Sequence, residues 1–428
     1  MHLLRHSRFF SILALLLLPC LLLAACGKPD SAGGSVAASG TSWYNMHIFP
    51  DHGGWAITSR GILHTNDNGN TWHVVTPPDL RTRKSFVGLP FSFWNSQVAW
   101  FVSQGETQYI QYGQKQVPDL ARTFHSIDGG KSWQSGSIPD TASTYSDIRS
   151  GAGFLLNSFK QLQPQGENRK VITIHSISST DPQHAWITVS SVNWHTGGGS
   201  ESISLVYLRL WQTGDGGQNW QMRWENKDKN YPYYGSFWTY FVTSTTSLMG
   251  TTQPTNVLLS HDGGQNWQEK TLPAPKLTAQ ALQVSSLGHP TFFDATHGVV
   301  TIQQYEPNQH YRFFPFVTSN GGQSWQAVAS LELPSTRSST QIMYLNRQHW
   351  IASGDGMLSR SDDGGAHWQQ LKLSANFLTI DSFSFVTNQE GWGISQEPAS
   401  STKLPDLSNL VHTTDNGKTW TTVPYRIL

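Results

Sequence analysis

The chain reads as short alternating runs of hydrophobic and polar residues, grouped in fours and punctuated by glycine-rich turns. Gly54-Trp55-Ala56-Ile57, Ala99-Trp100-Phe101, Ala185-Trp186-Ile187, His349-Trp350-Ile351 and Gly391-Trp392-Gly393-Ile394 are variants of one run. Leu248-Met249-Gly250 and Gly298-Val299-Val300 stand in the same place in two further units. Their period of two and their aromatic and β-branched content predict strands. Another alternating run precedes each of these, as in Ser382-Phe383-Ser384-Phe385-Val386, and a third follows, as in Ile62-Leu63-His64.

The third run leads into the most regular feature of the sequence, an eight-residue box present seven times. The copies run Thr65 to Trp72, Ser126 to Trp133, Thr213 to Trp220, Ser260 to Trp267, Thr318 to Trp325, Ser361 to Trp368 and Thr413 to Trp420. Each has a hydroxyl residue, an acid two later, Gly four later and Trp seven later. The acids are Asp67, Asp128, Asp215, Asp262, Asp363 and Asp415, with Asn320 standing in the fifth copy. Such a carboxylate accepts backbone N–H groups just ahead of it, and the amide oxygen of Asn320 serves equally well. Gly supplies a positive φ that a β-carbon would oppose. The Trp is expected to open a fourth strand and plug the hairpin from beneath.

Four strands per unit in seven units predict an all-β fold, a seven-bladed β-propeller of four-stranded antiparallel blades. Residues 42–428 allow about 55 residues per blade, near the usual propeller period. Trp-to-Trp spacings are 61, 87, 47, 58, 43 and 52, so the second interval holds an insertion near Gln134–Lys170. Trp43 opens a first strand and Thr421 to Leu428 closes a last one, so the ring is expected to close without strand exchange, unless residues before Trp43 lend an edge strand.

The amino terminus has another character. Arg5 and Arg8 precede an apolar run from Phe9 to Leu23, and Leu23-Ala24-Ala25-Cys26 follows. The run is short for a membrane span and ends in small residues, as a signal peptide does. The cysteine after the small pair resembles the lipobox of bacterial lipoproteins. That resemblance implies a signal peptide over residues 1–25, lipidation of Cys26, and a location in the bacterial cell envelope outside the cytoplasmic membrane. Residues 26–41 are rich in Gly, Ala and Ser and are expected to act as a flexible tether.

Composition narrows the function. Lys plus Arg equal Asp plus Glu at 28 each, so no cationic excess exists to displace counterions from a nucleic acid. The two cysteines, Cys20 and Cys26, leave no disulfide framework and no cysteine metal site. No P-loop, His-Glu-x-x-His or Gly-x-Ser-x-Gly is present, none of the 17 histidines has a metal-ligand spacing, and no cofactor is implied.

The boxes resemble the Asp-box (bacterial neuraminidase) repeat of sialidases, some endoglucanases, sortilin-type receptors and photosystem II assembly factors. Seven copies in one ring behind a lipobox are most similar to the photosystem II assembly and stability factor family. That resemblance implies the propeller fold and structural rather than catalytic or metal-binding boxes. A sialidase-like enzyme would need an arginine cluster, a Tyr/Glu pair and an acid. The Arg motif before the first box is missing, and the adjacent Tyr305-Glu306 point to opposite faces of a strand.

The first-to-second and third-to-fourth connections of a blade share one face, and here they are short. The second-to-third and inter-blade connections share the other, and their lengths vary widely. Binding specificity is expected on that variable face. Its candidate residues are Tyr109, Tyr112, Trp194, His195, Tyr233, Tyr305 and Tyr311. The sequence thus reads as an anchored, non-enzymatic binding or assembly scaffold with a protein or glycan partner. A sialidase-like or other glycoside hydrolase, or a glycan-binding receptor, is the alternative.

Overall fold

The computed structural model describes residues 41–428, apart from 84, 104–119, 142–144, 147–167, 198–199, 228–236, 252, 274–284, 307–309, 335–340, 355–356, 373–378 and 397–407. The signal peptide, Cys26 and nearly all of the tether lie outside the described residues, and so do Tyr109, Tyr112 and Tyr233. The strands form seven mostly antiparallel sheets in chain order, the seven blades of a propeller. No helix among the described residues is long and apolar enough to cross a membrane.

Within each blade the second strand begins opposite the box hydroxyl residue. Gly54 pairs with Thr65, Ala99 with Ser126, Ala185 with Thr213, Ser247 with Ser260, Gly298 with Thr318, Trp350 with Ser361 and Gly391 with Thr413. This shared register fixes which residues of each strand face the neighbouring blade. Trp55, Trp100, Trp186, Trp350 and Trp392 of the second strands are at most 2% exposed.

The innermost strands are stitched together by serine. Ser384 Oγ of blade 7 accepts from the Ile48 amide of blade 1 (2.8 Å) and donates to the Ile48 carbonyl (2.8 Å). Ser176 and Ser178 of blade 3 accept from the amides of Thr239 and Phe241 in blade 4, each at 3.0 Å. The polar positions of the first-strand alternation therefore satisfy the backbone of the next blade, which unpaired strand edges require.

Two expectations need correction. The fourth strand begins one residue after the Trp in six blades, and at Thr71 in blade 1. The carboxyl terminus does not simply finish blade 7. Its fourth strand ends at Thr422, and Arg426–Ile427 cross to blade 1, where they add a fifth, parallel strand outside Thr71–Val74. Arg426 N donates to Asn70 O (3.0 Å), Leu428 N to Trp72 O (2.8 Å) and Val74 N to Leu428 O (3.0 Å). Trp43 Nε1 donates to Tyr425 Oη at 3.2 Å, and the two rings meet edge to face. A two-residue strand is too short to leave a periodic signature in sequence.

Each box forms the same turn. The Ser or Thr hydroxyl bonds to the acid, from Thr65–Asp67 at 2.8 Å to Thr318–Asn320 at 3.0 Å. It also accepts the N–H of the Gly four residues on, as in Gly130 to Ser126 at 2.8 Å. The acid's Oδ1 then accepts the N–H of the residue before Trp, as in Thr71 to Asp67 at 2.8 Å and Ser324 to Asn320 at 3.0 Å. Two consecutive residues take positive φ, Gly263 at 75° and Gly264 at 87° for example, and Asn68 and Asn416 hold the first of these positions in blades 1 and 7. In four blades the Trp indole donates back to the box Gly carbonyl: Trp72, Trp220, Trp267 and Trp420. Trp133 instead reaches Val75 O of blade 1 at 2.7 Å.

A second repeated cap lies beneath the boxes, in the first-to-second connections. Asn95, Asp181, Thr243, Asp294, Asn346 and Thr387 each accept the N–H groups two and three residues ahead. The carbonyl two residues after each cap receives an N–H from the box of its own blade: Gln97 from Gly129, Gln183 from Gly216, Thr245 from Gly263, Thr296 from Gly321, Gln348 from Gly364 and Gln389 from Asn416. In blade 1, His52 O accepts from Asn68. The box and this cap therefore fold as one unit on one face of the ring.

Acid should undo it. Burial alone would raise the Asp67, Asp128 and Asp415 carboxyls, but the hydrogen bonds they accept outweigh it and hold them below the usual range. The N–H of Asn266 and that of His367 are the main causes that bring Asp262 and Asp363 to about 2. These groups bind protons more readily unfolded, so their stabilisation is complete above about pH 4 and lost as pH falls through their folded values. His125, buried and stacked 3.9 Å from Trp100, is lowered by burial to about 4. Its contribution is complete above about pH 6.5 and falls as pH drops towards 4. Urea midpoints measured from pH 7 to pH 3 are expected to fall in two stages, first below 6.5 and again below 4. A flat profile down to pH 3 would contradict this.

Candidate binding face

The docking of boxes onto first-to-second connections places both on one face, so the second-to-third connections stand on the opposite one. The second strands, counted from their box-level residue, show how far each blade rises there. Blades 1, 2, 4, 6 and 7 have second strands of 5, 5, 4, 5 and 6 residues. Blade 3 has 13, Ala185–Gly197, and blade 5 has 9, Gly298–Glu306. The second-to-third connections of these two blades are in large part strand, since antiparallel pairing continues as far as Gly197–Ser200 and Glu306–His310. Their Ser, Thr, Val and aromatic residues suit a pleated surface, and the polar ones had masked that continuity.

The blade 3 hairpin is built in layers. Val192 and Leu205 are 3% and 2% exposed and pack with Phe237 and Met249 of blade 4. A bulge between Ser191 and Val192 interrupts the ladder just below them. Beyond it, Trp194 pairs with Arg169 and Ile203, and His195 with Asn168 and Ser202, so both candidates sit in strand rather than loop. Tyr145–Ser146, from the insertion between blades 2 and 3, pair in parallel with Val171–Ile172 on the inner edge. Tyr207 Oη reaches the Asp140 carbonyl at 3.0 Å and ties down the start of that insertion.

On blade 5, Tyr305 and Tyr311 are directly opposite each other, with ring centroids 5.3 Å apart and planes 57° apart. Tyr305 is 40% exposed. Burial pushes the Tyr311 phenol up, and Tyr305 adds to the shift. Phe313, two residues along, packs with Ala352 and Ile342 of blade 6, so this side of the hairpin faces blade 6. The alternate side carries Arg312, paired with Glu332 at 3.1 Å.

Three arginines of this face are matched to carboxylates. Arg122 is on Asp79, and Arg209 is held by Glu225 (2.7 Å) and Asp140 (3.2 Å) while lying over the Tyr207 ring. With Arg312 they occupy third strands, away from the inner strands that line the axis, in blades 2, 3 and 5. These three arginines are thus dispersed over three blades, each on a carboxylate. Among the described residues no group of three or more His, Cys, Asp or Glu could hold a metal ion.

The chain matches no protein-family model, and no curated protein matches it. Solved structures do resemble it. The GH74 xyloglucanase of Xanthomonas campestris aligns over 90% of this chain at 13% identity and a TM-score of 0.51. The chain spans about half of that enzyme, 55% of its length. YCF48 from Cyanidioschyzon merolae aligns over 88% of this chain and 95% of its own, at 17% identity and a TM-score of 0.46. YCF48 bound to D1 peptide aligns over 83% and 89%, at 16% identity and 0.43. The likeness is one of fold. A seven-bladed propeller hosts several chemistries, and function has to be read from the residues of its site.

Proposed function

We propose that this chain is a non-enzymatic scaffold, acylated at Cys26 and held outside the cytoplasmic membrane of a bacterium, that binds a protein or glycan partner on the face opposite the boxes. The observation that carries the reading is the pairing of four carboxylates of that face with arginines. Among the described residues Glu332, Glu225, Asp140 and Asp79 each contact an arginine, which takes up carboxylate oxygens that a substrate would otherwise meet. Glycoside hydrolysis uses two carboxylates flanking the scissile bond, one of them protonated; burial would raise the Glu225 carboxyl, but the hydrogen bonds from Lys227 and Arg209 hold it below the usual range. What the face does present is the Tyr305–Tyr311 pair, rigid amphipathic surface of the kind enriched at binding interfaces.

Residues 27–428 assayed against fluorogenic sialosides and β-glucans should show no turnover. Turnover abolished by Glu332→Gln or Glu225→Gln in a folded ring would overturn the scaffold reading. On glycan and peptide arrays the same protein should bind a restricted set, and Tyr305→Ala should weaken that binding by about tenfold or more, as loss of an interface aromatic does. Retained binding by the Tyr305→Ala, Tyr311→Ala double variant would move the site off blade 5.

A further inference from the structure

The first strand of every blade leaves the box face in the same way. The N–H groups of Phe49, Trp94, Thr180, Val242, Phe293, Leu345 and Val386 each donate to the carbonyl four residues on, at 2.8–3.2 Å. Since the first strands line the axis, these positions ring its box-face end. Phe49, Val242, Phe293, Leu345 and Val386 are half-buried and pack on clusters of buried residues shared with the following blade. Trp94 is the exception. The largest of the seven, it is 42% exposed.

The second position of the box sets blade 2 apart again. The other blades carry Asn66, Gly214, His261, Ser319, Asp362 and Thr414 there, whereas blade 2 carries Ile127, which is 52% exposed. Both residues belong to one rigid unit. Trp94 lies three residues before Gln97 and Ile127 two before Gly129, and the Gly129 N–H joins the two turns at the Gln97 carbonyl, 3.0 Å away. Among the described residues no other box or first-to-second connection holds a large hydrophobic side chain exposed to this degree.

The rim of this patch is anionic. Ser96, two residues after Trp94, donates to Asp51 of blade 1, and Asp128 follows Ile127 directly. On the other side Ser92 and Ser179 are hydrogen-bonded across the blade boundary at 2.9 Å, and Trp94 and Asp181 each stand two residues beyond. Burial would raise the Asp181 carboxyl, but the bonds it accepts from Gln183 and His184 hold it below the usual range. Over the whole face the boxes, the residue before each and the first-to-second connections hold eleven carboxylates against four Lys or Arg. Such a field repels nucleic acid and anionic lipid and draws in Lys and Arg. Arginine also stacks on an exposed indole face.

We infer that the blade 2 sector of the box face is a docking surface for a protein segment that carries an aliphatic or aromatic side chain between lysines or arginines. An apolar anchor point inside a polar rim is the usual layout of a binding hot spot. This surface is distinct from the variable face and its partner, and does not depend on them. With both faces occupied, the ring bridges two partners.

The test borrows the chain's own alternatives. Trp94→Thr installs the residue that blade 3 has at Thr180, and Ile127→Asn the one that blade 1 has at Asn66. The double variant should therefore melt within about 2 °C of the parent. Asp181→Asn keeps the cap, which Asn346 forms in blade 6, and removes one charge. The probe is a fluorescein-labelled peptide with leucine and tryptophan between arginines. Its anisotropy is read against the full protein in a non-ionic detergent, with empty micelles subtracted. Saturable binding is expected, weaker by about tenfold or more in the double variant and by about two- to fivefold in Asp181→Asn, and falling as salt is raised. The same peptide with glutamate for arginine should not bind. No saturable binding above empty micelles, equal binding by the double variant, or binding of the glutamate peptide overturns the proposal. So does sedimentation showing a dimer of the parent that the double variant loses, because the occupant is then a second copy of this chain.

Discussion

Deleting Tyr425 to Leu428 should lower the melting temperature by about 10 °C while leaving the β-sheet circular dichroism of the native state nearly unchanged at room temperature. The four residues close the ring on the outer edge of blade 1, and the inner edge keeps its Ser384–Ile48 bonds. What is lost is three backbone hydrogen bonds, the Trp43–Tyr425 bond and contact, and the cover that Tyr425 and Ile427 give to the cluster of Trp43, Trp72 and Trp392. Removal of a large packed side chain alone costs about 3–5 kcal/mol. One kcal/mol moves the melting point of a domain above 150 residues by about 2–4 °C. Tyr425→Phe keeps the packing and loses only the hydrogen bond, so it should cost about 1 kcal/mol. The deletion also bares the edge of Thr71–Val74, an invitation to pair with another chain, and the truncated ring should self-associate in sizing experiments. An unchanged, monomeric melt would show that blades 1 and 7 are held by their inner strands alone.

The blade count was legible in the sequence because one turn is written seven times in nearly the same letters. The second cap was not, although it is as regular in space. Asn95, Asp181, Thr243, Asp294, Asn346 and Thr387 offer the same acceptor geometry through three different residue types, so no single letter repeats. The assignment of faces followed from strand order alone, whereas the height of each blade did not. Ser190, Ser191 and Asn193 look like loop residues, yet the strand runs through them, Ser190 and Ser191 being buried between blades. The tail of the chain was missed for a different reason: two residues on a neighbouring blade are fixed by tertiary contacts, not by any local pattern. Of the candidate aromatics, Tyr305 and Tyr311 do face each other, which the hairpin register decides and sequence spacing does not.

The last prediction separates the two left-handed positions of one box. Gly264→Ala should destabilise the ring by about 2–5 kcal/mol, whereas Gly263→Asn should cost less than about 1 kcal/mol. Both glycines have positive φ, 75° at Gly263 and 87° at Gly264, so backbone preference alone would rank them alike. Their surroundings differ. A β-carbon at Gly263 meets only the Ser244 carbonyl, at 3.3 Å, and blades 1 and 7 already hold Asn68 and Asn416 at the equivalent place with φ of 58° and 74°. Asn tolerates that conformation better than other residues with a β-carbon. A β-carbon at Gly264 would lie well inside the contact distance of Leu210 Cδ2 and press on Phe241 and Trp267 at 3.4 Å. Leu210 is fully buried between blades 3 and 4, so it has nowhere to retreat. Strain of about 1–2 kcal/mol from the left-handed backbone adds to about 1–3 kcal/mol of overpacking. Urea melts of the two variants, compared with the parent, measure the difference. Equal losses would mean that the turn's backbone, rather than its fit against the neighbouring blade, sets the requirement for glycine.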